Sequence, residues 1–347
     1  MSPFVLFLFL FNLGLGTTIT FASSHWLLAW MGLELNTLAI IPLMIQHHHP
    51  RATEASAKYF MVQATATAIL LFSTTSSALM LGQWNIYELD QPLFNALFML
   101  ALSLKLGLAP LHAWLPEVLQ GLDLMTGLIL STWQKLAPLI LLLQIPPTNI
   151  NILLLLGLTS MLVGGWGGLN QTQLRKILAY SSIAHLGWMV VVMKIAPSIS
   201  LLALLAYILM TFSLFSMFLL NKTLNINSLS LSWTKSPFMM VSVPALLLTL
   251  AGLPPLTGFM PKWLILQELA NQNLVLLAVL ATMSSLLSLF FYLRLSYSIM
   301  LISSPNNTTH TAAWRQNHKT LYFPLSITTI LSTLSLPLTP LLLAVMM

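Results

Sequence analysis

Apolar runs separated by short clusters of polar residues, proline or glycine follow one another along the whole chain. Most are about 20 residues long, the length that an α-helix needs to cross the hydrocarbon core of a bilayer. No alternating pattern of about ten-residue strands, which is typical of a membrane β-barrel, is present. The pattern therefore predicts an all-α polytopic membrane protein with about eleven transmembrane helices. We place them at residues 3–21, 26–45, 57–81, 93–120, 125–143, 150–169, 175–193, 198–220, 238–270, 274–300 and 322–345.

The composition supports this fold class. Of 347 residues, 57% are hydrophobic and 6% are charged, whereas soluble proteins carry about 25% charged residues. So few charges cannot cover a surface in water, which makes the lipid bilayer the main solvent and a partner of the chain. The net charge of +6 is scattered, which argues against nucleic acid as a partner. The lack of cysteine excludes disulfides and cysteine-ligated iron–sulfur clusters.

The distribution of basic residues predicts the orientation. If the N-terminus lies on side A, only Lys194 falls on the opposite side. The basic residues in or near side-A loops are Arg51, Lys58, Arg175, Lys176, Lys222, Lys235, Arg294, Arg315 and Lys319. The positive-inside rule makes side A the cytoplasm or matrix, and an odd number of spans puts the C-terminus outside. No positively charged segment precedes the first apolar run, so we expect no cleaved signal or transit peptide.

Two of the predicted spans are long and interrupted by proline, and they resemble each other. The stretch "GLAPLHAWLPE" (107–117) matches "GLPPLTGFMPK" (252–262) without gaps, with five of eleven positions identical. By our placement the offset crosses five helices, so the two copies run through the membrane in opposite directions. Paired interrupted helices of this kind indicate an inverted repeat around an ion path at the bilayer midplane. The weaker alternative is that glycine–proline kinks recur by chance.

This repeat predicts the domain organisation. We expect residues 1–145 to form a first inverted repeat of five helices and residues 146–302 to form a second one. Each repeat has one discontinuous helix. Residues 303–347 then form a loop and a C-terminal transmembrane helix.

Four charged residues lie within the predicted spans rather than in loops: Glu34, Lys105, Lys135 and Lys262. A charge at the bilayer centre costs about 2.5–3.5 kcal/mol on insertion scales. We therefore expect these side chains to face the protein interior, with Glu34 and Lys105 facing each other directly or through water. The alternatives are pairing of Glu34 with a loop lysine such as Lys58 and, for the lysines, snorkelling to the membrane surface.

Lys105 lies shortly before Pro110, which lacks an amide donor and is expected to displace the carbonyl of Leu106. A backbone carbonyl that lacks its helical hydrogen bond beside a lysine is a place where water can bind. A lysine that is both desolvated and close to a carboxylate can load and release a proton. Lys135 lies about ten residues into its span, which is too deep for easy snorkelling.

Histidine adds two further candidates. His112 lies in the first break and His185 lies in "LAYSSIAHLGW"; either is a proton relay or a hydrogen-bonded interior residue. The run 47–49 of three histidines at a helix end indicates a solvated face more than a metal site. The stretch "GGWGG" (164–168) indicates close helix packing through small residues, not a nucleotide-binding loop. The residues indicate no metal and no cofactor.

Four stretches together carry a resemblance to a known family: "LGLAPLHAWLPE", "KLAP" (135–138), "LRKILAYSSIAHLGW" and "LAGLPPLTGFMPKW". The chain resembles the antiporter-like subunits of NADH:ubiquinone oxidoreductase (complex I) over its whole length. The resemblance implies two inverted five-helix repeats plus extra helices, as in the animal mitochondrial form. It places the family's buried proton-path residues at Glu34, Lys105, Lys135 and Lys262. A lysine at the last position fits the subunit-2 branch.

The resemblance also implies a function and partners. It implies a proton-translocating module in the mitochondrial inner membrane, coupled to NADH oxidation and ubiquinone reduction elsewhere in the complex. NAD, FMN, iron–sulfur clusters and ubiquinone would then be bound by other parts of the complex, and none by this chain. Its partners would be other membrane-arm subunits, lipid, protons and internal water. The alternatives are a free-standing cation/proton antiporter of the same fold and a structural scaffold, which the buried charges disfavour.

Overall fold

A computed structural model describes residues 2–46, 48–87, 91–146, 150–234, 237–301 and 322–346. Within these ranges the regular structure is helical, and the chain divides into two compact units, residues 1–159 and 160–347. Seven of the described helices are long and apolar enough to cross a membrane. The described ranges do not include His47, Lys235, Arg315 or Lys319. The predicted loop that begins at residue 303 also lies outside them as far as residue 321.

The first unit contains α1 to α6 and the first half of α7. These helices are α1 (Pro3–Ala22), α2 (Trp26–Met44), α3 (Pro50–Leu81), α4 (Pro92–Leu106), α5 (Trp114–Gly121), α6 (Leu124–Gln144) and α7 (Ile150–Gly167). The second unit contains α8 (Leu174–Val192), α9 (Pro197–Asn221), α10 (Ile226–Ser230), α11 (Pro237–Ala251), α12 (Phe259–Asn271), α13 (Val275–Leu301), α14 (Tyr322–Leu334) and α15 (Thr339–Met346).

Helix α3 begins at Pro50, well before the predicted start at residue 57. Proline is favoured at the first helical position because its missing N–H has no partner there in any case. The His49 side chain caps the helix by accepting the Arg51 N–H at 3.2 Å. The first turns are polar, with Glu54 and Lys58, so a rule based on hydropathy could not find this start.

Both interrupted spans are broken as predicted, and each first half ends at a glycine. Gly107 (φ 76°) and Gly252 (φ 79°) are left-handed, a conformation that glycine adopts without a Cβ clash. The Gly107 N–H donates to the carbonyls of Ser103 and Leu104 at 3.0 and 3.2 Å, and the Leu108 N–H donates to Ser103 at 3.0 Å. These bonds satisfy carbonyls at the end of α4 that have no partner within the helix.

The second break repeats this arrangement. The Gly252 N–H donates to the carbonyls of Leu248 and Thr249 at 3.1 and 3.0 Å, and the Leu253 N–H donates to Leu248 at 3.3 Å. Because α4 has already ended before Pro110, the proline does not displace a helical carbonyl of Leu106, and that part of the prediction is wrong. The glycine ends the helix, and the proline lies in the linker.

The sequence suggested one continuous C-terminal helix, but the structure shows a broken one. Helix α14 ends at Leu334, a 3₁₀ turn covers Leu336–Leu338, and α15 follows. Pro337 has no N–H for an α-helical hydrogen bond, and the Leu338 N–H instead donates to the Ser335 carbonyl at 3.0 Å. The short helix α10 was also missed; Asn225 and Ser228 form a capping box at its start.

Small residues bring helices into close contact. A Cβ at Gly164 would lie 2.6 Å from the backbone nitrogen of Ala184, so α7 and α8 approach closely there, as the stretch "GGWGG" predicted. In the first unit, a Cβ at Gly16 of α1 would lie 2.9 Å from the carbonyl oxygen of Gly32 and 2.9 Å from Cγ of Asn36, both on α2. Substitution of Gly16 therefore forces α1 and α2 apart.

We expect Gly16→Ala to destabilise the protein by about 1–3 kcal/mol through overpacking. Gly14→Ala is the matched control, because a Cβ at Gly14 meets nothing within 4 Å and both changes replace a helical glycine with alanine. The heat-denaturation midpoint of the purified protein in its assembly measures both. Equal midpoints for the two variants would show that the α1–α2 contact is not tight.

Candidate functional site

The first unit encloses a narrow cavity that contains both of its buried lysines. Lys105 of α4 and Lys135 of α6 are 6% and 4% exposed. The centre of a water molecule can occupy about 20 Å³ of this cavity. By the same measure, roughly 10–15 Å³ is enough to hold one water. Its lining is Leu33, Asn36, Thr37, Tyr59, Gln63, Lys105, Leu106, Trp114, Leu115, Leu130, Gln134, Lys135 and Pro138. The two lysines thus share a space that fits one or two waters.

Glu34 lies on α2 next to Leu33, which lines the cavity together with Lys105. The buried oxygen Oε2 of Glu34 and the Nζ of Lys105 make no direct hydrogen bond to the protein. The two groups therefore do not pair directly through these atoms, and contact through water stays a prediction. A buried ammonium group with no protein acceptor requires water, because leaving it unsolvated is very costly.

The alternative partner for Glu34, Lys58, is engaged elsewhere. Lys58 Nζ lies 2.8 Å from Glu54 Oε1 and 2.9 Å from Glu117 Oε2, and all three side chains are exposed. The contact joins α3 to α5, the second half of the first interrupted span. Lys58 therefore pairs with exposed carboxylates rather than with Glu34.

Side chains also donate hydrogen bonds to backbone carbonyls near the end of α4. The Trp114 Nε1–H donates to the Leu104 carbonyl at 3.1 Å, and the Gln63 Nε2–H donates to the Lys105 carbonyl at 3.5 Å. Gln134 donates in the same way to the Asn36 carbonyl at 3.3 Å. Water and side chains at an interrupted membrane helix satisfy such groups where lipid cannot.

Sequence reasoning missed the uncharged polar residues of this cavity. Asn36, Tyr59, Gln63 and Gln134 are the clearest examples. The available signal was the presence of amide side chains deep within apolar spans, where polar side chains usually serve helix contacts or function. Charge alone directed attention to the lysines.

In the second unit, Lys262 of α12 turns back toward the end of α11. Its Nζ donates to the Ala251 carbonyl at 2.7 Å, where the helix dipole favours a positive charge. Lys262 and His185 of α8 line one small cavity, in which the centre of a water molecule can occupy about 10 Å³. The His185 ring also packs against Tyr207, with centroids 5.6 Å apart. The structure thus brings one predicted histidine to a predicted lysine.

His112 is placed differently. It is half-buried in the linker between α4 and α5, and it does not belong to the described lining of the first cavity. Its carbonyl accepts the Leu115 N–H at 3.0 Å. In the histidine run, His49 serves as the cap of α3, and within the described ranges no cluster of three metal-binding side chains occurs.

Two family models match consecutive parts of the chain. The family described as "NADH:quinone oxidoreductase/Mrp antiporter, TM" matches residues 23–288, and "NADH dehydrogenase subunit 2 C-terminus" matches residues 289–343. NADH-ubiquinone oxidoreductase chain 2 of Oncorhynchus mykiss is 62% identical over 98% of both chains. The same-named protein of Squalus acanthias is 57% identical over 98% of both.

Solved structures give the same result. A chain of respiratory complex I from Thermus thermophilus, solved with bound aureothin, superposes with a TM-score of 0.87 and 28% identity. The match covers 99% of this chain and 80% of that one. A chain of the Mrp complex from Dietzia has a TM-score of 0.82 at 16% identity, over 97% of this chain and 76% of that one, and so shares the fold.

The fold and the family match define an antiporter-like membrane protein. More specifically, the chain belongs to the NADH-ubiquinone oxidoreductase chain 2 family and is a membrane subunit of respiratory complex I. The resemblance inferred from its motifs is confirmed. The near full-length match to chain 2 proteins favours the subunit over a free-standing antiporter.

The contacts of Lys105 predict that Lys105→Met leaves stability within about 1 kcal/mol of the parent, because no direct protein hydrogen bond is lost. Arg294→Met is the contrast. Arg294 donates to the carbonyls of Leu169 and Gln171, both at 2.5 Å, and such charged hydrogen bonds contribute about 1.5–3 kcal/mol each. Heat denaturation of the assembled protein compares the two. A large loss of stability in Lys105→Met would show that its ammonium group has a structural role.

Proposed function

We propose that this subunit translocates protons, using Glu34, Lys105, Lys135 and Lys262 as the charged groups of an internal hydrated path. The observation that carries the proposal is the shared cavity of Lys105 and Lys135, two nearly fully buried lysines with room for water between apolar helices. Buried ionisable residues in a membrane interior are costly, and in transporters they mark proton and ion paths.

Within the first unit, a proton passes between Lys105 and Lys135 through water held by the amide side chains around them. Glu34 supplies a negative charge at the Lys105 end of this path. In the second unit Lys262 and His185 form a further station, with the Ala251 carbonyl holding the ammonium group. Each unit thus holds its own part of the proposed path, with Lys105 and Lys135 in the first and Lys262 in the second.

The proposal includes an architecture of about eleven transmembrane helices. Residues 1–145 and 146–302 are inverted five-helix repeats, and residues 303–347 add a loop and a C-terminal membrane segment. The matching glycine caps and hydrogen bonds at Gly107 and Gly252 support the repeat. In this arrangement the two interrupted helices cross in opposite directions and break near the midplane.

We place the chain in the mitochondrial inner membrane, with its N-terminus on the matrix side and its C-terminus on the intermembrane-space side. The positive-inside distribution supports this orientation. The chain has no redox centre of its own. NAD, FMN, iron–sulfur clusters and ubiquinone act elsewhere in the complex, and this subunit couples to them through other membrane-arm subunits.

The middle lysine gives the clearest test. Lys135→Met removes the titratable group and keeps an apolar stem of similar volume, so assembly should survive. We expect NADH-driven proton pumping and NADH oxidation to fall together by about 100-fold or more, the scale on which one positioned proton-transfer group contributes. Both rates are measured in membranes that carry the variant, normalised to the assembled complex.

Lys58→Met is the matched control, because Lys58 is exposed and water screens its ion pairs at the surface. It should pump normally. Normal pumping by a fully assembled Lys135→Met variant would show that this lysine is structural and that the proposed path is wrong.

A further inference from the structure

We propose that Thr257 is a positioning residue of the second unit, whose hydroxyl holds Lys262 in place by joining the start of α12 to α14. Thr257 lies in the linker between α11 and α12, and its side chain is buried. Its hydroxyl donates a hydrogen bond to the backbone carbonyl of Ser332 in α14. This inference rests on the proposed role of Lys262 in the proton path and gives the C-terminal segment a part in that role.

The Ser332 carbonyl needs a partner from outside its helix because α14 ends close to it. Helix α14 ends at Leu334, and the last four carbonyls of a helix have no partner within it. Pro337, in the 3₁₀ turn that follows, has no N–H to donate. An unsatisfied carbonyl at membrane depth is costly. The Thr257 hydroxyl therefore satisfies an acceptor that the break in the C-terminal segment leaves open.

Thr257 also forms part of the start of α12, the helix that carries Lys262. The Thr257 carbonyl accepts the Met260 N–H at 3.3 Å, and Lys262 follows in the first turn of α12. Lys262 Nζ then donates to the Ala251 carbonyl, at the end of α11, at 2.7 Å. The first turn of α12 is therefore bound to α14 through Thr257 and to α11 through Lys262.

Packing fixes the linker against α11 more closely than against α14. A Cβ at Gly258 would overlap the Thr249 carbonyl oxygen, so the linker lies directly on α11. Toward α14, Thr257, Met260 and Pro261 border a mostly apolar cavity that they share with residues of α9, α14 and α15. The centre of a water molecule can occupy about 240 Å³ of this cavity. Because protein packing is loose there, the Thr257 hydrogen bond fixes the distance between the linker and α14.

The first break is joined to a neighbouring helix in a comparable way. The position that corresponds to Thr257 there is His112, which has no hydroxyl. Instead, the Thr159 hydroxyl of α7 donates to the Ala109 carbonyl, in the linker between α4 and α5, at 3.0 Å. Each linker thus shares one threonine hydrogen bond with a helix outside its own interrupted pair. This recurrence supports a positioning role for Thr257.

Thr257→Val tests the hydroxyl while keeping the shape of the side chain. Displacements of about 1 Å already slow reactions between positioned groups, and this change removes the bond that limits such a displacement of α12. We expect normal assembly, with proton pumping and NADH oxidation per assembled complex falling together about fivefold, the factor that corresponds to one ordinary hydrogen bond. Thr257→Ser keeps the hydroxyl and should pump normally.

Ser332→Ala is the matched control. It removes a hydroxyl that donates to the Thr329 carbonyl within α14, at 2.9 Å, but it keeps the backbone carbonyl that accepts the bond from Thr257. It should pump normally. A Thr257→Val variant that fails to assemble, or that assembles and pumps as well as Ser332→Ala, would show that the bond serves the fold alone and would overturn the inference.

A double variant separates this inference from the proposed path. In a Lys262→Met background, Thr257→Val should cause no further loss of pumping, because Thr257 acts through Lys262. Losses that multiply in the double variant would contradict that connection. If Lys262→Met alone pumps normally, the proposed role of Lys262 fails and this inference fails with it. If Lys262→Met is impaired while Thr257→Val behaves like Ser332→Ala, only the role of Thr257 fails.

Discussion

The cost of holding an ammonium group inside a membrane governs the rest of this structure. Lys105 and Lys135 are nearly fully buried between apolar helices, where a charge without solvent or a partner is strongly disfavoured. The fold places amide and hydroxyl side chains beside both lysines in a narrow cavity that has room for water. Room for water beside a lysine is a condition for proton movement through a membrane interior.

The two interrupted helices show how one backbone arrangement serves two different chemistries. Both breaks use a left-handed glycine and the same cap hydrogen bonds, yet the residue that corresponds to Lys262 in the first copy is Glu117. Glu117 faces outward to the exposed Lys58, whereas Lys262 turns back to the Ala251 carbonyl. In the first break, the Trp114 side chain donates a hydrogen bond to the Leu104 carbonyl. The backbone of each break determines which carbonyl groups lack a helical hydrogen bond. The side chains determine which donor binds those carbonyls.

Much of the helical architecture follows from the sequence alone, because the length and composition of an apolar run are local properties. The errors occurred where local rules conflict. Helix α3 starts early because its first turns are polar and its cap is a histidine. The C-terminal segment is divided at Pro337 although its hydropathy is continuous. Pro110 appeared to end α4, but Gly107 ends it three residues earlier through its left-handed conformation.

The sequence by itself determined the membrane class, the two interrupted helices and the identity of the buried charges, because each depends on residue type and spacing along one segment. Tertiary structure decided which of these residues meet. Lys105 and Lys135 share a cavity, and so do Lys262 and His185, whereas His112 stands apart from the described lining. Tyr59 and Gln63 acquire their places only when α3 packs against α4 and α5. Such contacts join residues far apart in the chain, and their geometry depends on how whole helices pack, which no local pattern records.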